Sequence, residues 1–271
     1  MPDGSLHIAI GRTPRTEALF TGAVSSPCLK LDIAPVPEIT RAFAPMVREG
    51  RYDVSELAIA TFLMAKARGA PIVLLPVVLS ARFQEAALLC RADSAITGPA
   101  DLAGKRIGVR AYSQTTGMWL RGVLREGHGM PADAMRWITF EGAHVAEYRD
   151  PPWVTRAPEG KTLLGMLQAG ELDAAIFGTE LPPGMRTVFP DPVAAGKNFR
   201  AAHGFMPVNH LAVARADVAA DARAELLRML AEAGAPVQDR AALWPALALA
   251  MRYCVEQTSL DRAMTPEEIW A

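Results

Sequence analysis

The 271 residues, 51% hydrophobic and 21% charged, suffice for one large or two small cores and exclude a disordered chain. A formal net charge of -1, from 28 basic against 29 acidic residues, leaves no bulk field for nucleic acid or an anionic membrane surface, so a small molecule is the expected partner. Only five of the basic residues are Lys; the rest are Arg, whose planar fork grips carboxylates, although a G+C-rich gene gives the same bias. Cys28, Cys90 and Cys254 show neither a disulfide framework nor metal-ligand spacing, which fits a reducing compartment. MPDGSLHIAIG at the N-terminus lacks the basic and apolar regions of an export signal, and the longest apolar stretches, around Ala70 to Leu79 and Ala241 to Met251, are too short for a bilayer. A cytoplasmic protein is expected.

Leu6 to Ile10 reads as a strand. GRTPRTEAL (11–19) follows, where Thr13 or Thr16 can cap a helix from about Glu17. Arg15, beside that helix start, either holds a carboxylate or is solvated. Ala42 to Arg48 reads as a helix stopped by Gly50, Tyr52 to Ala60 as a strand, and Phe62 to Ala67 as a helix stopped by Gly69. Glu56 interrupts an otherwise apolar strand, so it lines a cleft or a wet sheet face and needs a partner if buried. Ile72 to Val78 is a buried strand that bends or ends at Pro76. Strands alternating with helices predict an α/β chain with a mostly parallel sheet.

Glu85 to Arg91 reads as an extended segment leaving a first lobe, and His210 to Arg215 as one returning. Between them, Lys105 to Val109 forms a short strand, and Tyr112, Ser113, Gln114, Thr115 and Thr116 lead into a helix from about Thr116 to Arg125. Hydroxyls and free N–H groups at such a helix start suit an anion; the other reading is that Ser113 or Thr115 merely caps its own helix. No nucleotide loop is present. VREGRYDVSELA (47–58) and LQAGELDAAIFG (167–178) share a helix end, a Gly, an Asp and an apolar strand, which predicts two lobes of related topology with a ligand cleft between them. The expected division is 1–88 with 212–271 as lobe 1 and 89–211 as lobe 2. The final helices, Ala222 to Glu232, Arg240 to Gln257 and a turn opened by Thr265 with Glu268 at capping-box spacing, are expected to pack on the first lobe.

His210, between a Pro-containing loop and the return strand, is placed either as a proton donor facing the cleft or as a structural imidazole. His7, His128, His144 and His203 have no comparable setting, and no His pair has metal-ligand spacing, so no metal is expected. No G-x-S-x-G elbow or Cys–His signature appears.

RTEAL (15–19), RYDVSELAIATFL (51–63), PADLAGKRIGV (99–109), GKTLLGMLQAGELDAAI (160–176), MPVNHLAVAR (206–215) and MTPEEIW (264–270) together resemble the 4,5-dihydroxyphthalate decarboxylase-like family. The likeness covers most of the chain. It implies a two-lobed periplasmic-binding-protein type 2 fold, each lobe a mixed, mostly parallel sheet flanked by helices, with a hinge of two crossing strands. It further implies a cleft for an aromatic dicarboxylate or similar anion, decarboxylated without an organic cofactor. Residue chemistry assigns His210 as the acid, Glu56 as the phenol partner, and Arg15 with Arg82 or Arg121 as the carboxylate clamp. Thr16, Tyr112, Ser113, Thr115, Thr116 and Thr179 complete the substrate-binding set. The chain departs from the family pattern in a shorter helical part after Arg215 and in Pro14, where an acidic residue is the rule. Two alternatives stay open: a non-catalytic solute-binding protein of the ABC-transporter type for a small carboxylate, and a lyase of the same architecture acting on a chorismate-derived acid. A homo-oligomer is also left open.

Overall fold

The computed structural model describes residues 4–178 and 180–271. Its first part runs β1 (Gly4–Ala9), α1 (Glu17–Phe20), β2 (Leu29–Ile33), α2 (Phe43–Glu49), β3 (Val54–Ala58), α3 (Ile59–Ala67) and β4 (Ile72–Ala81). The middle runs β5 (Leu88–Arg91), β6 (Arg106–Val109), α4 (Thr115–His128), β7 (Arg136–Thr139), β8 (Val154–Arg156), α5 (Leu163–Gln168), β9 (Ala174–Ile176), β10 (Met185–Thr187) and α6 (Pro192–His203). The chain closes with β11 (Val208–Arg215), α7 (Ala220–Glu232), α8 (Arg240–Glu256) and α9 (Pro266–Trp270). Among the described residues no helix is long and apolar enough to cross a membrane.

The strands form two sheets with matching order: β2-β1-β3-β11-β4 in one, and β7-β6-β9-β5-β10 in the other with β8 added outside β7. In each sheet one strand is supplied after the chain crosses from the other, β5 on the way out and β11 on the return, and it pairs antiparallel with its neighbours. The repeat expected from sequence is therefore structural, and its Asp residues show why those residues recur. Gly50 and Gly170 adopt positive φ, 59° and 72°, which stops each helix and turns the chain into the next strand. Asp53 then accepts the His7 N–H at 2.7 Å and donates its own N–H to the His7 carbonyl at 2.8 Å. Asp173 repeats this with Arg106 at 2.8 and 2.9 Å. The carboxylate locks the incoming strand onto its parallel neighbour in both halves.

Several expected boundaries move. β3 ends at Ala58, because the chain turns into α3 at Ile59, two residues before the predicted strand end. Glu85 to Ala87 is a 3-10 turn, and only from Leu88 is the outgoing segment a strand. Pro76 does bend β4: Leu75 pairs with Ala212 and Val78 with Leu211, leaving Pro76 and Val77 as a bulge, after which the strand runs on to Ala81. The helices after β11 do not all rest on the first sheet. α7 packs on β2 and β4, whereas α8 packs against both α3 and α4 and so ties the two halves together. Gly122 of α4 permits that contact: a Cβ there would lie 2.0 Å from the Tyr253 ring.

Two further contacts close the halves on each other. The crossing segments meet where the Arg82 N–H donates to the Pro207 carbonyl (3.1 Å) and the buried Gln84 amide donates to Asn209 Oδ1 (2.7 Å). On the opposite side, the Arg48 guanidinium donates to the carbonyls of His144 (2.6 Å) and Ala143 (2.7 Å), in the loop between β7 and β8. His144 Nδ1 lies 3.0 Å from the hydroxyl of Thr61 in α3, and its ring meets Phe43 of α2 edge-on.

Replacing Gly122 with Ala should lower the melting temperature even though Ala favours a helix by about 1 kcal/mol, because overpacking against Tyr253 costs roughly 1–3 kcal/mol or more; thermal unfolding followed by circular dichroism measures it. A second expectation concerns pH. Burial first, then the charges of Arg110 and Arg48, push the His144 imidazole from its ordinary 6.5 down to about 4. The folded chain thus holds this ring neutral where the unfolded chain binds a proton, so stability is full above pH 6.5 and falls as pH drops from there toward about 4. The loss is on the order of 1–3 kcal/mol, and the acid decline in melting temperature should be shallower in His144→Gln than in the parent; equal slopes would remove His144 from the closure.

Candidate active site

β11 lies antiparallel between β3 and β4, with Ala212 opposite Glu56 and His210 opposite Ala58. Glu56 and His210 are therefore diagonal neighbours on one sheet face, within side-chain reach. They use that proximity: His210 Nδ1 lies 2.6 Å from Glu56 Oε1, while Oε2 accepts the Gly11 N–H at 2.9 Å. Glu56 is buried, 5% exposed, so these partners answer the need that its position in an apolar strand created. Gly11 allows the approach, since a Cβ on it would stand 3.1 Å from Oε2. Thr16, also buried, holds this loop by donating its hydroxyl to the Gly11 carbonyl (2.6 Å) and accepting the Thr13 N–H (2.9 Å). Thr16 positions the loop that carries Gly11. With both Glu56 oxygens engaged, this carboxylate orients the imidazole through Nδ1 and leaves Nε2 as the ring's open nitrogen.

The early turn into α3 has a consequence, for it places a helix N-terminus three residues after Glu56. α4 begins at Thr115, and the residue preceding each helix, Ala58 or Gln114, contributes no side-chain cap. Neither Ser113 nor Thr115 caps α4. The Thr115 hydroxyl instead accepts the Ala60 N–H of α3 at 3.3 Å, joining the two helix starts across the seam. Thr116 accepts from Arg82 Nη2 (3.2 Å), and Arg82 Nη1 donates to the Gly178 carbonyl just past β9 (3.3 Å). Arg82 has no carboxylate partner among the described residues, and burial pulls its guanidinium pKa down, so an anion near it would relieve a partly desolvated charge.

A cavity of about 650 Å³ opens over the Glu56–His210 pair, with Ile10, Phe20, Ile39 and Leu79 forming its apolar wall. Arg12 lines it too, an arginine the sequence reading passed over in favour of Arg15. Its Nε and Nη2 donate to the two oxygens of Glu17 at 2.8 and 2.6 Å. Arg15 is exposed and lies outside this lining. It is not part of a clamp at the cavity.

The structure also takes Tyr112 and Arg121 out of the cleft. Arg121 is buried in the core behind α4, donating to Gln257 Oε1 (2.7 Å) and the Tyr112 carbonyl (2.6 Å), with its guanidinium 3.9 Å from the Tyr112 ring centroid and 5.0 Å from that of Trp137. The Tyr112 hydroxyl accepts the Trp153 indole N–H at 3.1 Å. Both residues brace α4 against α8 and the second sheet. Ser113 is buried with no side-chain hydrogen bond to a described residue, and Thr179 lies outside the described residues. His144, discounted from sequence, reaches the seam instead: Phe43 presents its ring edge-on to both His144 and His210, at centroid distances of 5.6 and 5.1 Å. Nothing in the local sequence EGAHVAE marks it, because its neighbours there come from α2 and α3. Among the described residues no three His, Cys, Asp or Glu side chains gather as metal ligands.

A protein-family model described as NMT1/THI5 like matches residues 28–148, which include Glu56, Arg82 and Thr115 but not His210. A 4,5-dihydroxyphthalate decarboxylase from Pseudomonas putida is 35% identical over 64% of this chain and 69% of its own length. Another, from Comamonas testosteroni, is 31% identical over 76% of this chain and 66% of its own. The chain thus spans about two thirds of the relatives it matches. Among solved structures, the periplasmic aliphatic sulphonate binding protein SsuA from Escherichia coli superposes with a TM-score of 0.57 at 16% identity, covering 98% of this chain and 81% of that one. A point mutant of the desulfurization enzyme DszB, in complex with biphenyl-2-sulfinic acid, gives 0.56 at 16% identity, covering 99% and 96%. The two sheets with exchanged antiparallel strands are the periplasmic-binding-protein fold. On the sequence relationship to the two named enzymes, this chain belongs to the 4,5-dihydroxyphthalate decarboxylase family.

Proposed function

We propose that this protein is a decarboxylase that works without an organic cofactor on an aromatic hydroxycarboxylate held over the Glu56–His210 pair. The observation that carries the reading is that pair itself: an imidazole whose Nδ1 is anchored to a buried carboxylate and which borders a cavity with an apolar wall. In this reading the ring of the substrate lies against Ile10, Phe20, Ile39 and Leu79, and its carboxylate faces Arg82 and the start of α4. Both favour the anion without taking a proton from it.

The chemistry then balances simply. The bond between the ring carbon and the carboxylate breaks, its electron pair stays on that carbon, and carbon dioxide leaves. A proton from Nε2 of cationic His210 forms the new C–H bond, and water returns a proton to the imidazole. A ring hydroxyl para to the carboxylate donates electron density to the carbon being protonated. Glu56 keeps the imidazole oriented and stabilises its cationic form. The greasy wall helps the departure, because an anion becomes a neutral gas as the bond breaks.

The other reading, a solute-binding protein, draws on the likeness to the sulphonate-binding protein and on the two helix starts at the seam. Carbon dioxide release separates the two. With 4-hydroxybenzoate or 4,5-dihydroxyphthalate as substrate, His210→Gln should lower release by about 10²–10⁴-fold while the fold and ligand affinity persist. Tight binding by the parent with no carbon dioxide evolved would favour the binding protein, and a fully active His210→Gln would remove the imidazole from the reaction. Arg82→Gln should weaken carboxylate binding by roughly tenfold or more, the cost of losing a charge-assisted hydrogen bond.

A further inference from the structure

The charges around the cavity do not match the relatives' substrate. A phthalate carries two neighbouring ring carboxylates, and a site for it needs two cations. Arg12, on the cavity lining, has both its fork donors engaged by Glu17, and its guanidinium stacks over Phe20 at 5.5 Å from the ring centroid. Arg110, near the second sheet's edge of the seam, is paired with Glu141 at 2.6 Å. Arg48 spends its donors on the Ala143 and His144 carbonyls and lines a separate groove on the other side of that contact. Among the described residues, Arg82 alone combines a place at the start of α4 with only neutral acceptors, the Thr116 hydroxyl and the Gly178 carbonyl.

We propose that Glu17 sets the substrate class of this cleft: by occupying Arg12 it leaves Arg82 as the one cation among the described residues open to a ligand, so the site takes a phenolic monocarboxylate and discriminates against ortho-dicarboxylates. The inference rests on the carboxylate cleft proposed above. A second carboxylate reaching Arg12 has to displace a carboxylate tethered five residues away and seated by two hydrogen bonds. It then lies beside Glu17 with like charge, and it loses hydration against an apolar wall. Nothing comparable opposes a hydrogen atom at that ring position. Glu17 acts through Arg12 and touches no reacting atom; it is a specificity residue.

Ligand-dependent thermal shift, titrated with 4-hydroxybenzoate and with 4-hydroxyphthalate, tests this directly, since the two probes differ by one ortho carboxylate. The parent should bind the monocarboxylate roughly tenfold or more tightly than the dicarboxylate. Glu17→Gln, which frees the Arg12 fork at an exposed position, should narrow or reverse that ratio, chiefly by tightening 4-hydroxyphthalate. A parent that prefers the dicarboxylate overturns the inference without any variant and leaves the carboxylate cleft standing, and so does a Glu17→Gln ratio equal to the parent's. If the parent binds neither probe, the cleft reading fails and the inference falls with it.

Discussion

The antiparallel seating of β11 between β3 and β4 is the constraint on which the site depends. β11 is the chain's return from the second sheet, so it can be placed only after the intervening half has folded and crossed back. Its register decides everything nearby: Ala212 opposite Glu56 puts a small residue beside the carboxylate, and the next residue on that face, His210, reaches it at 2.6 Å. A shift of one residue would send His210 to the other face and leave Glu56 buried without its imidazole. The Gly11 N–H, held by Thr16, then fixes the second carboxylate oxygen. Sheet pairing thus builds a rigid imidazole–carboxylate unit from residues 154 positions apart.

Around that unit the fold arranges two kinds of surface. The first sheet supplies the apolar wall and a neutralised arginine, whereas the seam supplies two helix starts, the Thr115 and Thr116 hydroxyls and Arg82, which meets only neutral acceptors among the described residues. The same seam is closed from outside by Arg48 and His144. A carboxylate is thus met by oriented dipoles and one charge, while its ring faces hydrocarbon. Such an environment holds an anion in the ground state and favours its conversion to a neutral product.

Much of the architecture was legible in the sequence. The helix–Gly–Asp–strand repeat at 47–58 and 167–178 predicted paired lobes, and its Asp residues turn out to lock equivalent strands in each. Gly50 and Gly69 stopped the helices they were expected to stop, and Thr265 with Glu268 forms its capping box. Glu56 was singled out because a carboxylate in an apolar strand needs a partner, and that partner is His210. Each of these inferences used information within about a dozen residues or a strong rule about burial.

The misreadings share a cause. Arg121 has the chemistry of a carboxylate clamp, but its guanidinium is enclosed by Tyr112, Trp137 and Gln257, which three separate elements bring together. Arg15 and Arg12 look alike in sequence, and only the turn of the loop decides which one borders the cavity. His144 has an ordinary local context and gains its role from Thr61 and Phe43. Sequence by itself determined the alternation of strands and helices, the glycine stops and the buried carboxylate, because these follow from periodicity, backbone freedom and the cost of burying charge. Tertiary structure alone decided which arginine keeps a free charge and which histidines meet, because those outcomes depend on distances between residues that the chain holds far apart.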